Sequence, residues 1–270
     1  MIAFPNCKIN LGLHVTGKRA DGYHDLETVF YPVPLCDALE IIPSTDAKSH
    51  FRLSGVELPP GGKNLCEKAW ELLAAQYDIA PAAMHLHKAI PAGAGLGGGS
   101  ADATFTLRML NDLFGLQLTR DQLLSLAAQL GSDCSFFIHN IPCFATGRGE
   151  ILSPLPLSLK GYTLLLVKPH IHIGTAEAFA GITPRKPTHH IPDIVAMPPE
   201  EWTGLLTNDF EPGIFSRHPV LAQIKSQLYQ MGAVYAAMSG SGATVFGLFA
   251  GSVNQRDPFP GCFVWSGMLG

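Results

Sequence analysis

Between Pro91 and Ala103 the chain reads PAGAGLGGGSADA, and Gly93, Gly95, Gly97, Gly98 and Gly99 fill five of seven consecutive positions before Ser100. Strand-like MHLHKAI (84–90) precedes the run. SADATFTLRMLNDLFG (100–115) follows, and its apolar spacing predicts a helix with Ser100 at the N-cap and Gly115 beyond the end. Flexible linkers rarely run straight into a capped amphipathic helix. The better physical reading is an anion cradle, in which successive glycine N–H groups converge on phosphate oxygens and the helix N-terminus adds partial positive charge. In it Ser100 is positioned to donate to a phosphate or to help hold Mg²⁺.

Gly93, Gly95 and Gly98 also satisfy G-x-G-x-x-G, but a dinucleotide fold needs a second parallel strand ending in an acidic residue about 20 residues on. Another helix follows Gly115 instead. A Walker loop needs Lys before the final Ser, where this chain has Gly99. The HRD and DFG elements of protein kinases are absent from the sequence.

Of the 270 residues 47% are hydrophobic and 15% charged, which fits a compact fold and excludes disordered or fibrous classes. A net charge of −4 gives no basic footprint for nucleic acid, so an anionic ligand needs local donors. The start, MIAFPNCKINLGLHV, lacks the basic head and long apolar core of a signal peptide, and no apolar run reaches the ~18 residues of a membrane span. Six scattered cysteines without a CxxC pair read as free buried thiols. A cytoplasmic protein is expected, monomer or homodimer.

KINLGLHV (8–15) alternates, with Ile9, Leu11, Leu13 and Val15 on one side and Lys8, Asn10 and His14 on the other, as in a half-buried strand. LETVFYPVPL and DALEIIP read as further strands and NLCEKAWELLAAQY (64–77) as a helix. Thr119 with Gln122 forms a capping box for a helix over 120–130. The rhythm changes near Ser153. Beyond it, YTLLLV reads as a strand, 175–181 and 219–231 as helices, and VYAAMSGSGATVFGLF (234–249) as a strand pair. Five prolines in 183–200 predict a surface loop. His85 with His87, and His170 with His172, share strand faces but lack a third ligand at motif spacing. Together these elements predict an α+β chain of two lobes.

PAGAGLGGGSADA, the N-terminal KINLGLHVTGKRADGYHDLETVF and the C-terminal MSGSGATVFGLF resemble the three motifs of the GHMP kinases, which phosphorylate galactose, homoserine, mevalonate and related small alcohols. KINLGLHVTGKRADGYH and GSDCSFF (131–137) narrow the resemblance to the branch that acts on a cytidylylated methylerythritol in the non-mevalonate isoprenoid pathway. The resemblance runs from residue 6 to about 250.

It implies an N-terminal ATP-binding lobe (1–153) like the second domain of ribosomal protein S5 and a ferredoxin-like C-terminal lobe (154–270), with the substrate site between them. ATP and Mg²⁺ are the implied cofactors, with Ser100 as a metal ligand and a small-molecule alcohol as partner, not nucleic acid or membrane. Asp133 matches the catalytic base and Lys8 its partner; taken alone, they would be an N-cap and a surface lysine. ATP is expected along Pro91, Ala92, Gly93, Ala94, Gly95, Leu96, Gly97, Gly98, Gly99, Ser100 and Ala101, with Asn64 and Lys88 as further contacts. Tyr23 and Phe179 match a pair stacking on the base and His24 its reader, while Asn10, Thr175 and Gly240 match substrate contacts. Phe179 alone reads equally as a helix residue packed in the core. A mevalonate or homoserine kinase, or a ligand sensor on the same fold, are the other readings; the Gly-Tyr-His stretch and the retained Lys8 and Asp133 speak against them. The chain departs from the family's pattern at Ser135, where proline is usual, and in its short tail after Phe249.

Overall fold

The computed structural model describes residues 1–57, 62–253 and 259–270. In chain order the strands are β1 (Ile2–Ala3), β2 (Asn6–Lys18), β3 (His24–Cys36), β4 (Ala38–Pro43), β5 (His50–Gly55), β6 (Ala82–Lys88), β7 (Cys143–Thr146), β8 (Ile151–Pro154), β9 (Thr163–Lys168), β10 (Tyr235–Met238), β11 (Val245–Phe249) and β12 (Phe263–Met268). The helices are α1 (Leu65–Ala74), α2 (Gly98–Leu113), α3 (Arg120–Leu130), α4 (Cys134–His139), α5 (Thr175–Phe179), α6 (Ile191–Val195), α7 (Glu211–Arg217) and α8 (Pro219–Gln230). By packing, the chain divides into two units. The first takes Met1–Cys7, Leu35–Ala92 and Gly97–Asn140; the second takes Lys8–Pro34, Gly93–Leu96 and Ile141–Gly270. Residues on both sides of the expected 153/154 boundary thus belong to the second unit.

The first unit builds a sheet in the order β1-β4-β6-β5, with β5 parallel to β6 and the other pairs antiparallel. Leu39, Ile41 and Leu86 from the sheet share a core with Leu73 of α1, Leu107 and Leu110 of α2 and Leu126 of α3. Asn64 starts α1 by a capping box: its side chain accepts from the Cys66 amide at 2.9 Å, and Glu67 accepts from the Asn64 amide at 2.9 Å. Thr119 and Gln122 form the expected box at α3. Helix α2 departs from expectation. It starts at Gly98, because Gly97 takes a left-handed φ of 70° and serves as the N-cap without any side-chain bond. Ser100 is therefore inside the first turn rather than at the cap.

The second unit holds the antiparallel sheet β10-β11-β9-β12 and, from Lys8 onward, most of the sheet β2-β3-β7-β8. Its core joins Val15, Leu165, Val167, Ile214, Leu228, Met238 and Val245. Two expectations are corrected here, and the tail is added to the fold. Strand β2 is buried on both faces, since Lys8 and Asn10 are each 3% exposed while Ile9 and Leu11 are fully covered. The proline-rich stretch contains α6, whose Ile191, Ile194 and Val195 are buried; Pro192 in its first turn suits a helix start. The short tail supplies β12, which pairs antiparallel with β9.

Candidate active site

In the second unit Lys8 projects from β2 into a polar knot. Its Nζ donates to Asn10 Oδ1 at 2.6 Å and to the Gly95 carbonyl at 3.2 Å, and lies 4.9 Å from the centre of the Phe30 ring. Asn10 is held in turn, its Nδ2 donating to Thr28 Oγ1 at 3.0 Å and that hydroxyl donating to the Gly12 carbonyl. The glycine run enters this knot. Leu96 accepts from the Lys8 amide at 2.9 Å, Ala94 from the Thr244 amide at 3.2 Å, and Gly95 from Ser239 Oγ at 2.8 Å. Glycine at 95 is required by this packing, for a Cβ there would lie 2.1 Å from the Ser239 carbonyl oxygen. Gly240, at φ +56°, is also tightly packed, since a Cβ there would lie 3.1 Å from Asn10 Oδ1. Lys8, Asn10, Ala94, Gly95, Leu96 and Gly240 thus form one cluster apart from any ligand, while a Cβ at Gly93 would lie 2.9 Å from the His172 ring.

The expected base-binding residues are also in this unit. His24 stacks on Phe179, with ring centroids 4.6 Å apart and planes at 19°. Phe179 presents its edge to Phe210, centroids 4.9 Å apart, and packs against the core, so it serves as core residue and aromatic platform together. Tyr23 is exposed and lies under the Arg148 guanidinium, 4.9 Å from the ring centre, rather than against Phe179's stacked face, which His24 covers. Thr175 opens α5 and is exposed.

In the first unit the rest of the run forms the start of α2. The first intrahelical bond runs from the Ala101 amide to the Gly97 carbonyl at 2.9 Å, so the amides of Gly98, Gly99 and Ser100 precede it in the helix ladder. Gly98 has to be glycine because a Cβ would lie 2.8 Å from Ile90 Cγ2. Gly99 does not: its Cβ would have Leu65 Cδ1, at 3.6 Å, as nearest neighbour, and the residue is exposed. A helix gains about 1 kcal/mol from Ala over Gly, so glycine at this open position fits a ligand that approaches the backbone. Pro91, buried, and Ala92 lead into the loop. Ser100 hydrogen-bonds the Cys134 thiol, and Thr104 Oγ1 donates to the Cys134 carbonyl at 2.9 Å, which ties the first turns of α2 to the segment carrying Asp133. Burial, and beyond it the Asp133 charge, push that thiol up to about 11. Asp133 stands at the N-cap position of α4 yet makes no capping bond, and α4 begins at Cys134 with Ser135 buried in its first turn.

Lys88, expected as a nucleotide contact, is engaged by two buried carboxylates. Its side chain is 3% exposed and donates to Asp37 Oδ2 and, at 2.7 Å, to Asp102 Oδ2. Asp37 Oδ1 accepts from the Ala89 and Ile90 amides at 2.6 and 2.8 Å. Among the described residues Asp102 Oδ1 is buried with no hydrogen-bond partner. Burial, and then the neighbouring Asp37 charge, outweigh Lys88 and raise the Asp102 carboxyl to about 7. Lys88 itself is lowered by burial but raised further by its two carboxylates. Asn64 spends its side-chain oxygen on capping α1. Asp37 and Asp102 were missed in the sequence because nothing in its local pattern marks either carboxylate as buried.

Profiles of the GHMP kinases N terminal domain and of the GHMP kinases C terminal match residues 64–147 and 194–256. The 4-diphosphocytidyl-2-C-methyl-D-erythritol kinase of Bacteroides thetaiotaomicron is 52% identical, with 100% of each chain covered. The chain belongs to the GHMP kinases, in the branch of that enzyme. A crystal structure of 4-(cytidine 5'-diphospho)-2C-methyl-D-erythritol kinase superposes with a TM-score of 0.84 at 32% identity, covering 100% of this chain and 99% of the other. The Methanococcus jannaschii mevalonate kinase, at 16% identity and a TM-score of 0.73 over 100% and 98% of the two chains, shares the fold. As a GHMP kinase the protein is an ATP-dependent phosphotransferase with a mixed α+β architecture. Among the described residues no helix is long and apolar enough to cross a membrane.

Proposed function

We propose that the chain transfers the γ-phosphoryl group of ATP to the 2-hydroxyl of 4-diphosphocytidyl-2-C-methyl-D-erythritol, giving the 2-phosphate and ADP in the cytoplasm. The alcohol oxygen forms a bond to the γ-phosphorus as the bond from that phosphorus to the bridging oxygen of ADP breaks. Asp133 orients the hydroxyl and takes its proton, and Lys8 stabilises negative charge on the attacking oxygen. The observation that carries this reading is the buried Lys8 ammonium, a charge brought inside the protein and aimed by Asn10 Oδ1 and the Gly95 carbonyl. An ammonium held there for stability alone would be a poor choice, since removing a charge from water costs several kcal/mol.

The α2 amides of Gly98, Gly99 and Ser100 are the proposed phosphate donors. Ser100 supplies an oxygen of the kind Mg²⁺ accepts beside phosphate oxygens, which fits an ion that enters with its nucleotide. Such an ion would supply positive charge that offsets the charge of the phosphates. His24, on the Phe179 platform, and Tyr23 are the proposed base contacts, with Asn10, Thr175 and Gly240 lining the remainder.

The test is an ADP-release assay with Mg-ATP and the cytidylylated alcohol, run beside mevalonate and homoserine. Turnover is expected with the cytidylyl compound alone. ADP release with mevalonate in its place would overturn the substrate assignment.

A further inference from the structure

We infer that Asn208 is a positioning residue for the phosphoryl transfer, setting the turn after β10 so that the Gly95 carbonyl holds the Lys8 ammonium. The inference rests on the role of Lys8 proposed above. Asn208 is 3% exposed and lies just before α7. Its Nδ2 donates to the Met238 carbonyl at 2.8 Å and to the Gly240 carbonyl at 2.9 Å, while its Oδ1 accepts from the Phe210 amide at 2.9 Å. Three bonds leave the amide a single orientation. A primary amide carries two donors and an acceptor in one plane, which is what these three partners demand.

The turn so held leads directly to Lys8. Ser239, fully buried, donates from Oγ to the Gly95 carbonyl at 2.8 Å and accepts from the Asn10 amide at 3.2 Å. Gly95 is the carbonyl that also accepts from Lys8 Nζ, and Asn10 is the side chain that does so from the other side. Moving residues 238–240 therefore moves these two acceptors of the ammonium. A second side chain fixes the same point: Glu211 Oε1 accepts from the Met238 amide at 2.8 Å and its Oε2 from Lys225 at 2.6 Å. Met238 is thereby gripped through its N–H by Glu211 and through its C=O by Asn208. The whole segment is registered on β2, with the Leu13 amide donating to Thr207 and the Asp209 amide donating to Leu13, at 2.9 and 2.8 Å.

The experiment compares steady-state kinetics of Asn208→Ala, Ser239→Ala and their double variant, with melting temperatures for each. A displacement near 1 Å costs about 100-fold in rate, so kcat per folded molecule should fall by that order in Asn208→Ala, with KM for both substrates little changed. Ser239→Ala should behave alike, and the double variant should lose no more than the worse single one, because both act through one carbonyl. Asn208→Ser, which keeps one donor, should lose less, and it replaces the alanine variant in the comparison if that fails to fold. A lowered melting temperature with normal kcat, or losses that multiply in the double variant, would overturn the inference. Lys8→Ala is the control. Normal turnover in it would reject the role of Lys8 itself, whereas an inactive Lys8→Ala beside a normal Asn208→Ala rejects only the positioning.

Discussion

A methyl group added at Gly95 would meet the Ser239 carbonyl at 2.1 Å, whereas one added at Gly99 would have only a leucine methyl at 3.6 Å. Gly95→Ala is therefore expected to reduce both folded yield and turnover, since main chain cannot yield by more than an ångström. Gly99→Ala is expected to melt at the same or a higher temperature, by up to about 1 kcal/mol of helix propensity, while KM for ATP rises. Thermal denaturation with an ATP titration separates the two, and an unchanged KM in Gly99→Ala would detach the α2 terminus from phosphate binding. Asp133→Ala should lower kcat by about 10²–10⁴ with little change in substrate affinity, read from initial rates against substrate concentration. Lys8, Asn10 and Asp133 could be nominated from the sequence because their motifs travel with a family. Asp102, Asn208 and Glu211 could not: what sets them apart is burial and partners over 14 to 30 residues away, which no local spacing records. The pattern Asn-Asp-Phe-Glu-Pro, a helix start with proline near its first turn, was the available sign of α7.

The helices with side-chain caps, α1 and α3, were read well from the sequence, while α2, which starts at a glycine without a side-chain cap, was started too late. The Thr119–Gln122 box marks α3 to the residue, and Thr119→Ala should cost about 1 kcal/mol, measured as a lower urea midpoint with an unchanged denaturant slope. At α2 the prediction preferred Ser100, the best capping side chain in view, but a left-handed Gly97 begins the helix earlier and leaves the serine hydroxyl for Cys134. That early start also brings the amides of Gly98 and Gly99 into the first turn. The α6 segment was hidden by its prolines, which signal loops in general but are welcome at a helix N-terminus. Strand β12 was hidden in a tail whose apolar residues, Phe263, Val264, Trp265 and Met268, follow a proline-rich approach.

Stability of the whole chain should carry the signature of Asp102. Its carboxyl holds a proton up to about 7 in the folded protein, against 3.8 for an ordinary aspartate. Between those values the folded state binds more protons than the unfolded chain, so this residue's contribution to stability declines as pH rises through the window and is level above it. Urea midpoints from pH 5 to 8 should show that decline, and Asp102→Asn, which resembles the neutral acid, should flatten it; an equal slope in both proteins would assign the effect elsewhere. The α+β class and the two-core plan were legible from the order of strands and helices. Membership of the units was not, because Lys8–Pro34 packs with a partner sequence more than a hundred residues later. This has a consequence during synthesis. Once residue 140 has left the ribosome, every segment of the first unit is available to fold, while the strands that carry Lys8 and His24 wait as an emerged, apolar stretch for the remainder of the polypeptide. A nascent chain stalled in that interval is the form in which holdase chaperones should find their target.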